Sequence, residues 1–222
     1  MITSPSTGAG GLPARCDWAV ILVRGEGGRG RRCGEPRRVT RDLRAALPAV
    51  VDLYAAVGIR VAVAVRPDLH APCQQLVRGR AVRWILCGGA GDSAAAAGAA
   101  LLVLREEASH LWFHPVELVA VATETLLSLA ERSRREPFRV VVPRCRDGRG
   151  DPVVLPVDRF APVADPRLRG TLRRHLARWC APGPRQCACV EFVQVTDSAI
   201  IPPERVPVAA VALRPLTRRG DD

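Results

Sequence analysis

The stretch that decides the fold is 18-WAVILVRGEGGRGRRCGEPRR-38. Its first six residues are apolar and predict a short buried strand. A loop rich in glycine and arginine follows at once, and a helical pattern begins after the loop. A strand, a glycine loop and a helix in this order direct backbone N–H groups towards a phosphate. The stretch therefore predicts a binding loop for a nucleoside triphosphate.

Two residue types in this loop carry the prediction. Glycine lets the backbone approach a ligand closely, and arginine supplies a planar, permanently charged phosphate ligand. The residues that we expect to contact the nucleotide are Leu22, Val23, Gly25, Gly27, Gly28 and Gly34. The arginines of the loop would add positive charge around the bound phosphates. The alternative is a flexible surface loop, since arginine is abundant throughout this chain.

The net charge of +11 invites comparison with nucleic-acid-binding proteins. However, the chain of 222 residues contains no lysine and no asparagine, so all 33 basic residues are arginine. This bias is typical of a GC-rich genome. Aromatic residues make up only 4% of the chain and are not interleaved with the arginines. A base-stacking surface is therefore not expected, and we do not expect nucleic acid as a partner.

The termini and the cysteines bear on location and metal content. No apolar run approaches the ~20 residues of a membrane span, and the N-terminus lacks a basic start followed by an apolar core. We therefore expect a cytoplasmic protein that is not bound to a membrane. Cys187 and Cys189, with His175 and Cys180 before them, would suit a zinc ion. The alternative, which the scattered spacing of the eight cysteines favours, is a set of structural thiols.

Strand and helix patterns alternate along the chain. Apolar runs predict strands at 18–23, 59–65, 81–86, 101–104, 138–142, 153–155 and 190–195. Helical spacing predicts helices at 40–56, 72–77, 94–100, 115–133 and 166–179. This alternation predicts a three-layer α/β/α fold with a mostly parallel, Rossmann-like sheet. We expect one domain over 16–213, with flexible tails at 1–15 and 214–222.

Ligands of such sheets bind outside the carboxyl ends of the strands. We therefore expect the glycine loop, the turn 87-CGGAGDS-93 and the pair Glu106–Glu107 to converge at that edge. His110 and His114 fall between a predicted strand and a predicted helix, so we expect them to be exposed loop residues. The alternative is that they line the cleft.

The order of these elements resembles the MobA-like nucleotidyltransferases, and especially their molybdenum cofactor cytidylyltransferase branch. Leu22-Val23-Arg24-Gly25 takes the place of that family's L-A-A-G, and 32-RCGEPR-37 takes the place of R-M-G-x-P-K. The resemblance implies that Arg32 and Arg37 hold the phosphates during catalysis. The segment 88-GGAGDSAAAAGAALLVL-104 is similar to the family's segment before its metal-binding strand. The segment 143-PRCRDGRGDPVVLPVDRF-160 is similar to a D-G-x-x-G-H-P-V hairpin of the cytidylyltransferase branch. The resemblance extends over roughly residues 18 to 205.

The resemblance implies a fold of the nucleotide-diphospho-sugar transferase type and a specific reaction. The enzyme would transfer a nucleotide from CTP or GTP to molybdopterin, with Mg²⁺ as cofactor and a molybdoenzyme as a further partner. Glu106 stands where the family's G-D-x-P motif has a metal-binding aspartate. Val195-Thr196-Asp197 resembles the end of a late strand of that family, which closes with an aspartate. Both are therefore expected to bind the metal. Asp151 takes the place of the hairpin histidine, and Ser93 that of the serine in the family's G-x-x-x-S-L-x-x-G segment, so the resemblance implies that both contact the substrate.

The departures from the family's motifs leave a second function open. Arg37 replaces the loop lysine, and Arg24 replaces a small residue before the first glycine. A family member that has lost catalysis, and that binds a cofactor or a protein instead, is the alternative. Glu106, at the end of the predicted fourth strand, would distinguish the two, because an enzyme in which Glu106 and Asp197 both point away from the cleft cannot hold magnesium.

Overall fold

The apolar start of the deciding stretch forms the central strand β1 (Cys16–Leu22). In the computed structural model, residues 15–23, 41–87, 93–146, 148–160 and 190–200 are described. The other strands are β2 (Arg60–Val65), β3 (Val82–Leu86), β4 (Ala108–Pro115), β5 (Val140–Cys145), β6 (Gly148–Arg149), β7 (Val153–Pro156) and β8 (Val190–Gln194). The helices are α1 (Arg41–Ala56), α2 (Pro67–Leu76), α3 (Ser93–Leu104), α4 (Thr123–Arg135) and α5 (Val157–Phe160), with a 3₁₀ turn at Ser198–Ile200.

These strands form one mixed sheet in the order β3-β2-β1-β4-β7-β5-β6, and β8 also pairs with β5. Strands β3, β2, β1 and β4 are parallel to one another, and β5 is parallel to β8. Strand β7 is antiparallel to both β4 and β5. The prediction of a mostly parallel sheet with helices on its two faces is confirmed.

Strand β1 is buried on both faces because its side chains alternate between two apolar layers. Ala19 and Ile21 pack with residues of α1, α2 and α4 on one face of the sheet. Val20 and Leu22 pack with residues of α3 on the other face. The glycine loop that follows β1 therefore starts from a rigid position at the centre of the sheet.

The fourth strand of the sheet differs from the one predicted. Residues 101–104 continue helix α3, and the fourth strand is β4. The prediction of a strand at 101–104 and of a helix beginning at Pro115 is therefore wrong. His110 and His114 lie on β4 and are buried, so the prediction that they are exposed loop residues is also wrong.

The physical reason lies in the partners that bury these histidines. His110 Nδ1 lies 3.1 Å from the carboxylate of Asp17 on the neighbouring strand β1. The same carboxylate accepts hydrogen bonds from Ser109 Oγ at 2.7 Å and Trp112 Nε1 at 3.2 Å. Burial raises the pKa of Asp17, but these hydrogen bonds outweigh it and hold the pKa below its usual value. A polar cluster of this kind makes histidine acceptable inside a sheet.

The other predicted strands and the hairpin at 144–149 are confirmed, within two residues at most boundaries. Helix α2 begins five residues earlier than predicted, at Pro67. The helix predicted at 166–179 and the cysteines beyond Cys145 lie outside the described residues, as do both expected tails apart from Arg15. Within the described ranges, no helix is both long and apolar enough to cross a membrane.

We predict that Gly150→Ala destabilises the fold by about 1–3 kcal/mol, as measured by denaturant unfolding. An added Cβ at Gly150 would lie 2.3 Å from the backbone oxygen of Ile200. This distance is too short for a non-bonded contact, so the backbone at Gly150 or Ile200 would have to shift.

Gly98→Ala is the matched control, because a Cβ there would meet nothing within 4 Å. Gly98 lies inside helix α3, so this change should stabilise the protein by roughly 0.5–1 kcal/mol. Equal effects of the two substitutions would contradict the close packing of Gly150 against Ile200.

Candidate functional site at the carboxyl edge of the sheet

Several loops meet at the edge where the parallel strands end. Val23 follows β1 there, and its N–H donates to the carbonyl of Ala64 near the end of β2. Helix α3 begins at this edge with Ser93, after β3 has ended. The segment after β4 and the segment between β6 and β7 also lie here, because β7 runs antiparallel to β4. This edge is the place where an open α/β sheet binds its ligands.

A tight turn at residues 115–118 presents an exposed carboxylate at this edge. The N–H of Val116 donates to the carbonyl of Leu22 at 3.2 Å, which ties the turn to the end of β1. The N–H of Leu118 donates to the carbonyl of Pro115 at 3.0 Å and closes the turn. Val116 and Leu118 are buried, whereas Glu117 between them is exposed. Glu117 is therefore the first carboxylate after the fourth strand.

His114 lies directly beneath this turn and uses both of its ring nitrogens. Nε2 lies 2.9 Å from the carbonyl oxygen of Leu118, which can only accept a hydrogen bond, so Nε2 carries the proton. Nδ1 then accepts the hydroxyl proton of Tyr54 at 2.9 Å. Burial lowers the pKa of His114 to about 4, so the ring is neutral at neutral pH.

Tyr54 reaches this point from helix α1, because helical side chains point back towards the start of their helix. The ring of Tyr54 lies edge-on to that of His114, with centroids 5.4 Å apart. Burial, together with the negative charge of Asp151, keeps the pKa of Tyr54 well above its usual value. The hydroxyl therefore stays protonated and donates.

Asp151 lies at the same edge, next to the end of β4. The register pairs Phe113 with Val153, and Asp151 precedes Val153 by two residues. The N–H of Asp151 donates to the carbonyl of Ile200 at 2.9 Å, which fixes its backbone. The carboxylate is half-buried and close enough to Tyr54 to influence its titration. The expected position of Asp151 in the cleft is thus consistent with the structure, while its role stays a prediction.

Asp197 follows β8 at this edge, but its two oxygens serve the start of helix α4. Oδ2 accepts hydrogen bonds from the N–H of Ala122 at 2.8 Å and from Thr125 Oγ1 at 3.1 Å. Oδ1 accepts one from the N–H of Ala199 at 2.9 Å. Ala122, at the N-cap position, has no side chain that could do this. Asp197 therefore caps α4 from outside the helix.

Glu106 lies at the opposite edge of the sheet. It belongs to the turn between α3 and β4, and the carbonyl of Glu107 beside it accepts from the N–H of Cys16, the first residue of β1. Seven residues of β1 separate the two edges, a distance of about 20 Å. The prediction that Glu106 lies at the carboxyl edge is wrong, because it depended on the misplaced fourth strand. Its side chain is 82% exposed and pairs with Arg105.

The other predicted site residues divide into two groups. Leu22 and Val23 lie at the end of β1, and the backbone of Ser93 opens α3, so all three are at the carboxyl edge. The remaining predicted site residues, Gly25, Gly27, Gly28, Arg32, Gly34 and Arg37, lie outside the described residues.

Glu117 was not predicted as a site residue, because the helix expected to begin at Pro115 included it. A strand signal was present in the sequence, since the apolar pair Trp112 and Phe113 lies just before His114 and 115-PVE-117. Two histidines in that stretch concealed the strand. Once β4 is located, Glu117 is the first carboxylate after its end.

Comparison with known proteins agrees with this geometry. The sequence profile of the MobA-like NTP transferase domain matches residues 19–184, which is well over half of the chain. The chain belongs to the MobA-like NTP transferase family. No curated protein matches the sequence at a significant level.

The solved structures that this family member resembles share its fold at low sequence identity. Rv0371c from Mycobacterium tuberculosis H37Rv is 19% identical, with a TM-score of 0.57, over 85% of this chain and 91% of that one. The manganese complex of Rv0371c is 17% identical, with a TM-score of 0.54, over 83% and 90% of the two chains. A 4-diphosphocytidyl-2C-methyl-D-erythritol synthase from Anaerococcus prevotii is 13% identical, with a TM-score of 0.57, over 84% and 91%.

We predict that Asp197→Ala lowers the free energy of unfolding by about 0.5–2 kcal/mol, because helix α4 loses its cap. Glu106→Gln serves as the control and should change stability by less than about 0.5 kcal/mol, since its carboxylate is exposed. Chemical denaturation measures both. A neutral Asp197→Ala would contradict the capping role.

The buried His114 predicts a dependence of stability on pH. Its pKa in the folded protein, about 4, is below the ordinary value of 6.5, so the unfolded chain takes up the proton first as the pH falls. The neutral His114 ring contributes its full stabilisation of the fold above about pH 6.5. This stabilisation declines towards pH 4, by a total on the order of 3 kcal/mol. Urea unfolding across this range should show that the free energy of unfolding changes less steeply with pH in His114→Gln than in the wild type. Identical slopes would contradict burial of a neutral ring.

Proposed function

We propose that this family member transfers a nucleotide from a nucleoside triphosphate to a phosphorylated acceptor at the carboxyl edge of its sheet. One observation carries the proposal, namely the turn at 115–118, which places the exposed Glu117 beside the end of β1. The glycine loop starts one residue after that end. A carboxylate and a phosphate-binding loop at one edge are the parts that a nucleotidyltransferase needs.

The carboxylates of the described edge fit a hard divalent cation. Magnesium prefers oxygen ligands and is usually held by one or two carboxylates together with substrate phosphates. Glu117 would supply the first of these, and Asp151 lies on the same edge next to the end of β4. When bound, the metal would neutralise charge on the nucleotide phosphates. The manganese complex of Rv0371c, a structure that this chain resembles, supports the use of a divalent metal.

The chain's own residues would act through position and charge. The terminal phosphate of the acceptor attacks the α-phosphorus of the nucleotide, and a new P–O bond forms. The bond from the α-phosphorus to the bridging oxygen breaks, and pyrophosphate leaves with the electron pair. Backbone N–H groups of the loop after Val23, with Arg32 and Arg37, would hold the β- and γ-phosphates. Because positioning dominates such transfers, the rigid placement of the turn at 115–118 contributes directly to rate.

For the substrates we propose CTP or GTP and, as acceptor, molybdopterin, with a molybdoenzyme as the later recipient. This assignment is supported by the family of the chain and by its hairpin at 144–149. Ser93 and Asp151 would contact the acceptor or the nucleotide, since both lie at the carboxyl edge. The expected cytoplasmic location suits these small, charged substrates.

A second candidate is a family member that binds a nucleotide without transferring it. One observation favours it, since Asp197 uses its oxygens to cap α4 and Glu106 lies on the far edge. Turnover decides between the two candidates, because both predict binding of a nucleotide.

We predict that the protein binds CTP or GTP in the presence of Mg²⁺ and releases pyrophosphate when molybdopterin is added. Calorimetry measures the binding, and a coupled pyrophosphate assay measures the transfer. Glu117→Gln should lower the rate of transfer on the order of 100-fold, because it removes a negative ligand from the metal.

Glu106→Gln is the control and should leave both measurements unchanged. Binding without pyrophosphate release in the wild type would favour the second candidate. If no nucleotide binds with Mg²⁺, the proposed function is incorrect.

A further inference from the structure

We infer that Tyr54 and His114 are positioning residues, which hold the turn at 115–118 so that the carboxylate of Glu117 faces the nucleotide cleft. This inference rests on the proposed function for its consequence, but the hydrogen-bond chain that carries it is a property of the protein alone. The chain of contacts runs from helix α1 through strand β4 to the turn.

The first step of this chain fixes the far side of the turn. Two backbone hydrogen bonds, Val116 to Leu22 and Leu118 to Pro115, hold its near side. The carbonyl of Leu118 points back into the protein and accepts the Nε2–H of His114 at 2.9 Å. With both sides held, Glu117 has a fixed backbone although its side chain is exposed.

The second step fixes the ring of His114. If Nδ1 carried the proton, Nε2 could not donate to Leu118, so the contact requires one particular tautomer. The hydroxyl of Tyr54, at 2.9 Å from Nδ1, selects that tautomer by donating to it. Such control of a ring by a second hydrogen bond is known around metal ligands, where its loss costs about 10–100-fold in metal affinity.

The third step fixes Tyr54 itself. Its side chain is fully buried, and its ring lies edge-on to that of Trp112, with centroids 6.2 Å apart and an angle of 79°. Close packing of this kind holds the ring in one preferred rotamer. The position of helix α1 is thereby transmitted to the turn that carries Glu117.

A purely structural role would not require these polar groups. An apolar pair of similar size can fill a buried site with equal or greater stability, whereas a buried hydrogen-bonded pair fixes one geometry. The series of hydrogen bonds from Tyr54 through His114 also ends at the carbonyl of Leu118, adjacent to Glu117, and not elsewhere in the core. The arrangement therefore favours a role in orienting the carboxylate.

The first test uses the protein without ligands. Tyr54→Phe removes only the hydroxyl, and Ser133→Ala removes a buried hydroxyl that donates to Ala130 in helix α4, remote from the turn. Amide hydrogen exchange should show at least tenfold faster exchange of Val116 and Leu118 in Tyr54→Phe. These amides should keep wild-type exchange in Ser133→Ala. Wild-type exchange of both amides in Tyr54→Phe would overturn the inference.

The second test measures the Mg²⁺ concentration needed for half-maximal binding of CTP or GTP. Tyr54→Phe should raise it roughly tenfold, and His114→Leu by at least as much. His114→Gln, whose amide can donate and accept, should restore part of the loss. In a Glu117→Gln background, Tyr54→Phe should have no further effect, because the carboxylate that it positions is gone.

An equal effect of Tyr54→Phe in both backgrounds would overturn the inference while leaving the proposed function intact. If the wild type binds no nucleotide with Mg²⁺, the proposed function fails, and the exchange measurement alone then decides whether Tyr54 and His114 hold the turn.

Discussion

The structure depends on the hydrogen bonding of strand β1 between β2 and β4. Both neighbours run parallel to β1, so the three strands end at one edge of the sheet. The two faces of β1 are covered by separate apolar layers, which excludes any shift of its register. The main features of the candidate site are positioned by this strand. The glycine loop leaves its carboxyl end, and Val116 after β4 is bonded to its Leu22.

This constraint explains why the site residues differ so much in their surroundings. Glu117 is held at the edge by a turn that is tied to β1, and its side chain remains in solvent. Asp197 lies at the same edge, yet its oxygens are used by helix α4. Glu106 has an exposed carboxylate but lies at the other end of β1. A metal ligand of the proposed site needs both a position at the carboxyl edge and a carboxylate turned to solvent. Of these three residues, only Glu117 has both.

The sequence predicted the fold well because its main signals are local. The apolar run at 18–23 and the alternating run at 59–65 are unambiguous, and each has a glycine-marked boundary. The segment 93–104 was ambiguous, since it is apolar on all sides and a run of four apolar residues fits a strand or a buried helix equally. Strand β4 was hidden because His110 and His114 are buried by partners distant in the sequence, Asp17 and Tyr54. Periodicity cannot show such long-range pairing, and the error moved the predicted metal ligand from one edge of the sheet to the other.

The chain belongs to a family of NTP transferases, and the proposed transfer depends on Glu117 as the metal ligand. Anomalous scattering from crystals soaked with Mn²⁺ and CTP would locate the metal directly. We expect a peak within coordination distance of the Glu117 carboxylate, at the carboxyl end of β4. A peak at Glu106, or an ordered nucleotide with no metal near Glu117, would contradict it.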